Sequence, residues 1–126
     1  MKGRFSDLSH VVIGCAIEVH KELGPGLLES IYRRCLAREF ELRGIHFTTE
    51  AALPIHYKGL QFEWSYRLDF FVENQLLLEL KTVERLLPVH RSQALTYMRL
   101  LHAREGLLIN FSVARLADEG IASLVL

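Results

Sequence analysis

The chain has 126 residues, half of them hydrophobic, and its 15 basic and 15 acidic side chains cancel to a formal charge of zero. That length suits one domain with a real core. The balanced charge is not the signature of a dedicated nucleic-acid binder, and no apolar run reaches the ~18 residues needed to span a bilayer.

Met1 to Asp7 carries no apolar signal core, so the cytosol is the expected compartment and no membrane partner is expected. Cys15 and Cys35 lack partners at metal-ligand spacing and fall on apolar helix faces, which marks them as reduced, buried thiols. The six histidines show no pair at helical i,i+4 spacing that would suggest zinc.

Ser6 or Asp7 can cap a first helix, in which Leu8, Val11, Val12, Cys15 and Val19 recur at helical spacing. Leu23-Gly24-Pro25-Gly26 stops it, since glycine supplies the left-handed stop and proline forbids continuation. A second helix runs from about Leu27 towards Arg43-Gly44, with Leu28, Ile31, Tyr32, Cys35, Leu36 and Leu42 as its apolar arc. Glu29 borders that arc and Glu39 sits nearer its middle. Both are candidate buried acids, and periodicity does not choose between them.

From Ile45 the pattern changes to that of strands. Leu53 to Tyr57 alternates, Lys58-Gly59 marks a turn, and Leu60 to Trp64 leads into the next segment. Pro54 favours an edge position or a strand start. Between Tyr66 and Thr82, Leu68-Asp69-Phe70-Phe71-Val72 and Leu76-Leu77-Leu78-Glu79-Leu80-Lys81 flank Glu73-Asn74-Gln75, the pattern of a hairpin.

Each of these two runs carries charge where a core strand should carry none. Alternation sends Glu79 and Lys81 to one face and Leu78 and Leu80 to the other. A loop of two or three residues brings Asp69 opposite Leu80 or Glu79; with three, the two carboxylates face each other about 5 Å apart. Like charges at ~4 Å repel by about 1 kcal/mol in water and about 4 kcal/mol at an effective dielectric near 20. A half-buried pair therefore calls for a cation, of which Lys81 supplies one charge and a divalent metal the rest.

After Thr82, Pro88 is well placed in the first turn of a third helix, Val89 to His102, which carries Gln93 and Tyr97 at i,i+4. Gly106 to Phe111 reads as a short buried strand, followed by a turn at Asp118-Glu119-Gly120 and a last strand from Ala122 to Leu126. Helices, an antiparallel meander, a helical crossover and a further strand predict an α/β fold with a mixed central sheet flanked by helices.

Asp69 followed by Glu79-Leu80-Lys81 resembles the core of the PD-(D/E)XK nuclease superfamily. Gly26-Leu27-Leu28-Glu29-Ser30-Ile31-Tyr32 resembles the motif that names the GxxExxY proteins within it. The similarity covers nearly all of the chain and includes Leu23 to Gly26, Tyr57 to Gly59, Tyr66 to Asp69, Gln93 to Tyr97 and Leu107 to Phe111. Two departures stand out: Glu50 where many relatives carry glutamine, and a tail, Ile121 to Leu126, without the usual basic residue.

The resemblance implies a restriction-endonuclease-like core in a single domain over residues 1–126. Its catalytic set is Asp69, Glu79 and Lys81. Asp69, Glu79 and the backbone carbonyl of Leu80 would hold Mg²⁺ or Mn²⁺, with Glu29 ligating directly or through water. Lys81 would orient or deprotonate the attacking water. Gln93 and Tyr97 match a helical element that supports the site or touches the substrate backbone, and Tyr32 closes the GxxExxY motif. Arg67, two residues before Asp69, is placed to contact phosphate.

The implied activity is metal-dependent hydrolysis of nucleic acid, DNA in the first place. One rival is an inactive module of the same fold that binds nucleic acid or a protein partner, which the neutral charge favours. The other is a structural or oligomeric module whose acids only form ion pairs, but this leaves Glu79 an extra carboxylate costing several kcal/mol in an apolar strand. So small a domain has little surface for gripping a duplex, so a homodimer or a helper protein is a further expectation.

Overall fold

The computed structural model describes residues 5–126. Helices α1 (Asp7–Leu23) and α2 (Glu29–Leu42) come first. Three strands follow, β1 (Phe47–Tyr57), β2 (Leu60–Val72) and β3 (Leu76–Lys81), then α3 (Pro88–Leu101), β4 (Glu105–Asn110), the single turn α4 (Leu116–Glu119) and β5 (Ile121–Val125). The sheet order is β1-β2-β3-β4-β5. Only β3 and β4 are parallel, and α3 provides the crossover that such a pair requires. This is the mixed sheet with an antiparallel meander that the sequence predicts, and β1, with Pro54, lies at its edge.

Ser6 caps α1, its Oγ accepting the Ser9 N–H at 3.0 Å, and Gly24 ends the helix at φ 70°. The buried face of α1 is rotated from the expected one: Val11 turns to solvent, while Ile13, Ala16 and His20 join Val12, Cys15 and Val19. In α2 the buried line is Tyr32, Leu36 and Phe40, and Leu28, Ile31 and Leu42 are exposed. That single line of side chains, at i,i+4,i+8, is the fully buried part of the helix, with Cys35 and Ala37 packed at its border. Cys15 is buried and Cys35 half-buried, both as free thiols.

Two apolar layers sandwich the sheet. On one side α1 and α2 pack Val12, Tyr32, Leu36 and Phe40 over Phe70, Leu78, Leu80, Ile109 and Phe111. On the other, α3 packs Ala94, Tyr97 and Met98 over Leu53, Leu68, Leu77 and Leu108. Strands β3 and β4 are covered on both faces, which is why they read as nearly continuous hydrophobic runs. At Gly106 a Cβ would lie 2.7 Å from the Met98 sulfur and 3.3 Å from Leu77 O, so a larger residue there would make the Met98 side chain move.

The turn at Lys58-Gly59 is a two-residue loop with both residues at positive φ, the hairpin geometry that matches strand twist. Strands β2 and β3 are joined by Glu73-Asn74-Gln75, with Glu73 and Asn74 left-handed at φ 52° and 53°. Glu73 is held there by exchanging hydrogen bonds with His46: its N–H donates to His46 O at 2.9 Å and its Oε1 accepts the His46 N–H at 3.0 Å.

Asn110 ties the end of β4 to the segment that leaves β3. It is 1% exposed; its Nδ2 donates to Val83 O at 2.8 Å, and its Oδ1 accepts from Val83 and Ser112 N–H at 3.1 and 3.2 Å. Asn110→Ala leaves those groups unpaired and is expected to lower the unfolding free energy by about 2–3 kcal/mol in a urea titration. A loss under about 0.5 kcal/mol, within the range of an ordinary surface substitution, would show that the tie contributes nothing.

Candidate active site

The β2–β3 ladder pairs Val72↔Leu76, Phe71↔Leu77 and Phe70↔Leu78, which makes Asp69 and Glu79 the next facing positions. The three-residue loop therefore sets the register that opposes the two carboxylates. At that point, however, the strands part. On the other side of β2, Thr48 pairs with Phe71 and Glu50 with Arg67, so Leu68, Asp69 and Phe70 all stand opposite Thr49. Such a bulge shifts the phase of alternation: Leu68 belongs to the α3-side core and Phe70 to the α1/α2-side core, although they are two residues apart.

Asp69, between them, projects along the sheet towards β3. Its Oδ2 accepts the Leu80 N–H at 2.7 Å, a side chain taking the place of a ladder carbonyl. Its Oδ1 accepts from Arg33 Nε at 2.8 Å. Arg33 also reaches Glu29, with Nη2 3.5 Å from Oε1, so one guanidinium serves both acids. Nothing in the sequence pattern marks Arg33 except its i,i+4 spacing from Glu29.

Glu79 lies on the α3 side of β3 with Leu77 and Lys81. It is 9% exposed, and its Oε1 is buried with no hydrogen-bond partner among the described residues. Burial, then the Asp69 carboxyl as hydrogen-bond partner and as like charge, pushes the Glu79 carboxyl up to about 9; Lys81 opposes the rise and Glu29 adds to it. Burial and the neighbouring carboxylate thus both favour the protonated form of Glu79. The Glu29 carboxyl is raised as well, by burial and by Asp69, against Lys81 and Arg33. The charges of Glu29, Asp69, Glu79 and Lys81 thus act on one another.

Tyr32 is fully buried and touches no surface. Its hydroxyl donates to Gly24 O at 2.6 Å and accepts the Leu27 N–H at 3.1 Å, and its ring stacks on Phe111 at 4.4 Å. It fixes the loop from which α2 starts, and so fixes Glu29 in the first turn of that helix. Glu39, the rival acid, pairs instead with Arg43 at 3.2 Å.

Gln93 donates to the Tyr97 hydroxyl at 3.1 Å, and the Tyr97 ring lies 4.3 Å from that of Tyr66. The Tyr66 phenol is raised by burial, by the Tyr97 hydroxyl and by the Glu79 charge. These contacts join α3 to β2 beside Glu79, whose charge acts on the Tyr66 phenol. Arg67 is exposed, forms no ion pair among the described residues, and by alternation points to the α1/α2 side.

Among the described residues no three His, Cys, Asp or Glu side chains stand at the spacing that holds a metal ion, and Arg33 pairs with both Asp69 and Glu29. The chemistry of the donors nonetheless fits a divalent ion. Glu79 Oε1, buried and unpartnered beside a second carboxylate, is costly unless a proton or a cation meets it, and oxygen donors of this kind are what Mg²⁺ and Mn²⁺ take. The cavities lined by Asn74, Gln75 and Glu105, and by His46, Phe47 and Glu73, lie at the opposite end of the sheet.

A mixed sheet flanked by helices, with facing carboxylates where two strands part and a lysine two residues on, is the arrangement of a nuclease fold. The profile of the PD-(D/E)XK nuclease superfamily matches residues 6–122, and the chain belongs to that superfamily. Its members typically use a divalent metal. No curated protein sequence matches the chain. Among solved structures it is similar to the crystal structure of SSO0001, with a TM-score of 0.50 at 14% identity over 95% of this chain and 78% of the other, a likeness of fold.

The raised Glu79 carboxyl dictates a pH dependence. The folded state holds the proton up to about 9 and the unfolded chain releases it near 4.5. The stability of the metal-free protein is therefore expected to be highest below 4.5 on this account and to fall as pH rises towards 9. Glu79→Gln removes the titrating group and should flatten that decline in thermal melts taken across the range. A decline of the same steepness in the variant would assign it to another group.

Proposed function

We propose that the chain is a divalent-metal-dependent phosphodiesterase that hydrolyses nucleic acid, with DNA as the first substrate to test, and that it belongs to the GxxExxY branch of its superfamily. The observation that carries this reading is the unpartnered, buried Glu79 Oε1 beside Asp69 and within the field of Lys81. A purely structural carboxylate pair in this position has no reason to leave an oxygen unpaired.

In this reading Asp69, Glu79 and the Leu80 carbonyl hold Mg²⁺ or Mn²⁺, and Glu29 contributes directly or through water. The bound cation supplies charge neutralisation for the phosphate and a lowered pKa for water. Lys81 orients the attacking water, takes or shares its proton and faces the negative charge that develops on phosphorus. Arg67 meets a backbone phosphate of the substrate. The Gln93–Tyr97–Tyr66 contacts keep Glu79 in place from the α3 side, and Tyr32 keeps Glu29 in place from the other. One domain carries the whole set.

A non-catalytic relative that binds nucleic acid or a protein is the second reading. The Arg33 guanidinium on Asp69 favours it, because a fixed cation already satisfies one of the acids. Incubation with single-stranded DNA, duplex DNA and RNA, with Mn²⁺ or with chelator, separates the two. Cleavage that requires Mn²⁺ and falls at least ~10²-fold in Lys81→Ala supports the enzyme. Cleavage unchanged in that variant refutes the assignment, and neither cleavage nor Mn²⁺ binding favours the second reading.

Glu29→Gln is expected to weaken Mn²⁺ binding in titration calorimetry while leaving the melting temperature of the metal-free protein nearly unchanged. A large drop in melting temperature with unaltered Mn²⁺ affinity would reduce Glu29 to a first-turn residue that serves only the helix dipole.

A further inference from the structure

Strands β1 and β2 extend past the sheet. Beyond Leu53 and Tyr66 they continue as a two-stranded arm closed by Lys58-Gly59, with Tyr57↔Leu60, Ile55↔Phe62 and Leu53↔Trp64 in register. Alternation places Ile55, Tyr57, Leu60, Phe62 and Trp64 on one face and Pro54, His56, Gln61, Glu63 and Ser65 on the other.

The strand positions of the first face carry no charge; the one cation beside it is Lys58 in the turn, over the Tyr57 ring. Tyr57, Leu60, Phe62 and Trp64 are exposed by 62, 57, 50 and 43%. This face continues the α3-side core, where Trp64 meets Tyr97 at 6.5 Å. Because β2 runs antiparallel to β3, the tip of the arm stands at the end of the sheet where β3 finishes and α3 begins. Leu87 and Val89, at the start of α3, are exposed there by 42 and 63%.

An aromatic side chain has ~150–250 Å² to bury, so the exposed parts of Tyr57, Phe62 and Trp64 come to about 200–400 Å². The aliphatic side chains bring the face to on the order of 600 Å², the upper end for the largest patch on a monomer. That is also most of the ~800 Å² that each partner gives to a standard interface. A two-stranded hairpin is marginal in water by itself, so the arm gains from being covered.

We infer that the cover is a second copy of this chain, the arms packed apolar face to apolar face about a two-fold axis. An isologous contact sets each residue type against its own surroundings, and a face without charge meets itself without repulsion. A nucleic-acid strand would need cations beside its stacked bases, and the face holds only Lys58 at the tip, 5.4 Å over the Tyr57 ring. The dimer places both candidate active sites in one particle.

The single tryptophan, Trp64, lies within the proposed interface and reports on it directly. Sedimentation equilibrium of the full chain is expected to give twice the 14.5 kDa mass, and dilution should halve the mass while the tryptophan emission shifts to the red. Leu60→Glu and Phe62→Glu should be monomeric with unchanged circular dichroism and a melting temperature that no longer rises with protein concentration, while Leu42→Glu, exposed on α2, should remain dimeric. A wild-type monomer at every concentration would overturn the inference. So would a dimer that both arm variants leave intact, or a monomer whose Trp64 emission is quenched by a single-stranded oligonucleotide, which would give the face to nucleic acid.

Discussion

The bond from the Leu80 N–H to the Asp69 carboxylate holds the site together. Two strands that part at the next position would expose an unpaired edge. The side chain of Asp69 closes the gap and, in doing so, is pinned beside Glu79. Reaching across the sheet in this way requires the bulge at Leu68 to Phe70, because regular alternation would send Asp69 out of the plane. The irregularity of β2 and the placement of the acid are one feature, consistent with the concentration of bulges beside functional sites.

The remaining elements locate other charges around that point. Asn110 secures the chain as it leaves Lys81, and Phe111 donates its N–H to Lys81 O at 2.9 Å. Tyr32 secures the loop before Glu29. In both cases a buried polar group whose nitrogen and oxygen atoms each have a partner does the positioning, and such paired groups favour one arrangement over an ensemble.

Much of this was legible in the sequence. The charged positions within apolar strands, the three-residue break at Glu73 to Gln75, the edge placement of Pro54 and the crossover helix after Pro88 all follow from local pattern, and the structure has each of them. The bulge was not legible, since it depends on how β1 and β2 match across a long ladder. Arg33 was hidden for a similar reason: its partner on the sheet is far away in sequence. The rotated faces of α1 and α2 show the limit of helical periodicity, which proposes an apolar stripe but does not say how much of it the sheet will cover. Choosing Glu29 over Glu39 likewise required Tyr32 to anchor the loop at Gly24.

The guanidinium of Arg33 belongs to α2, whereas the acid it neutralises belongs to β2. The folded chain therefore gives Asp69 a counter-charge of its own, without an ion from solution. Releasing it takes rotation of one long side chain at a half-buried position and leaves every backbone hydrogen bond in place. In the proposed reading a divalent ion takes the place of that guanidinium, and the exchange asks for a new side-chain rotamer rather than a new strand pairing.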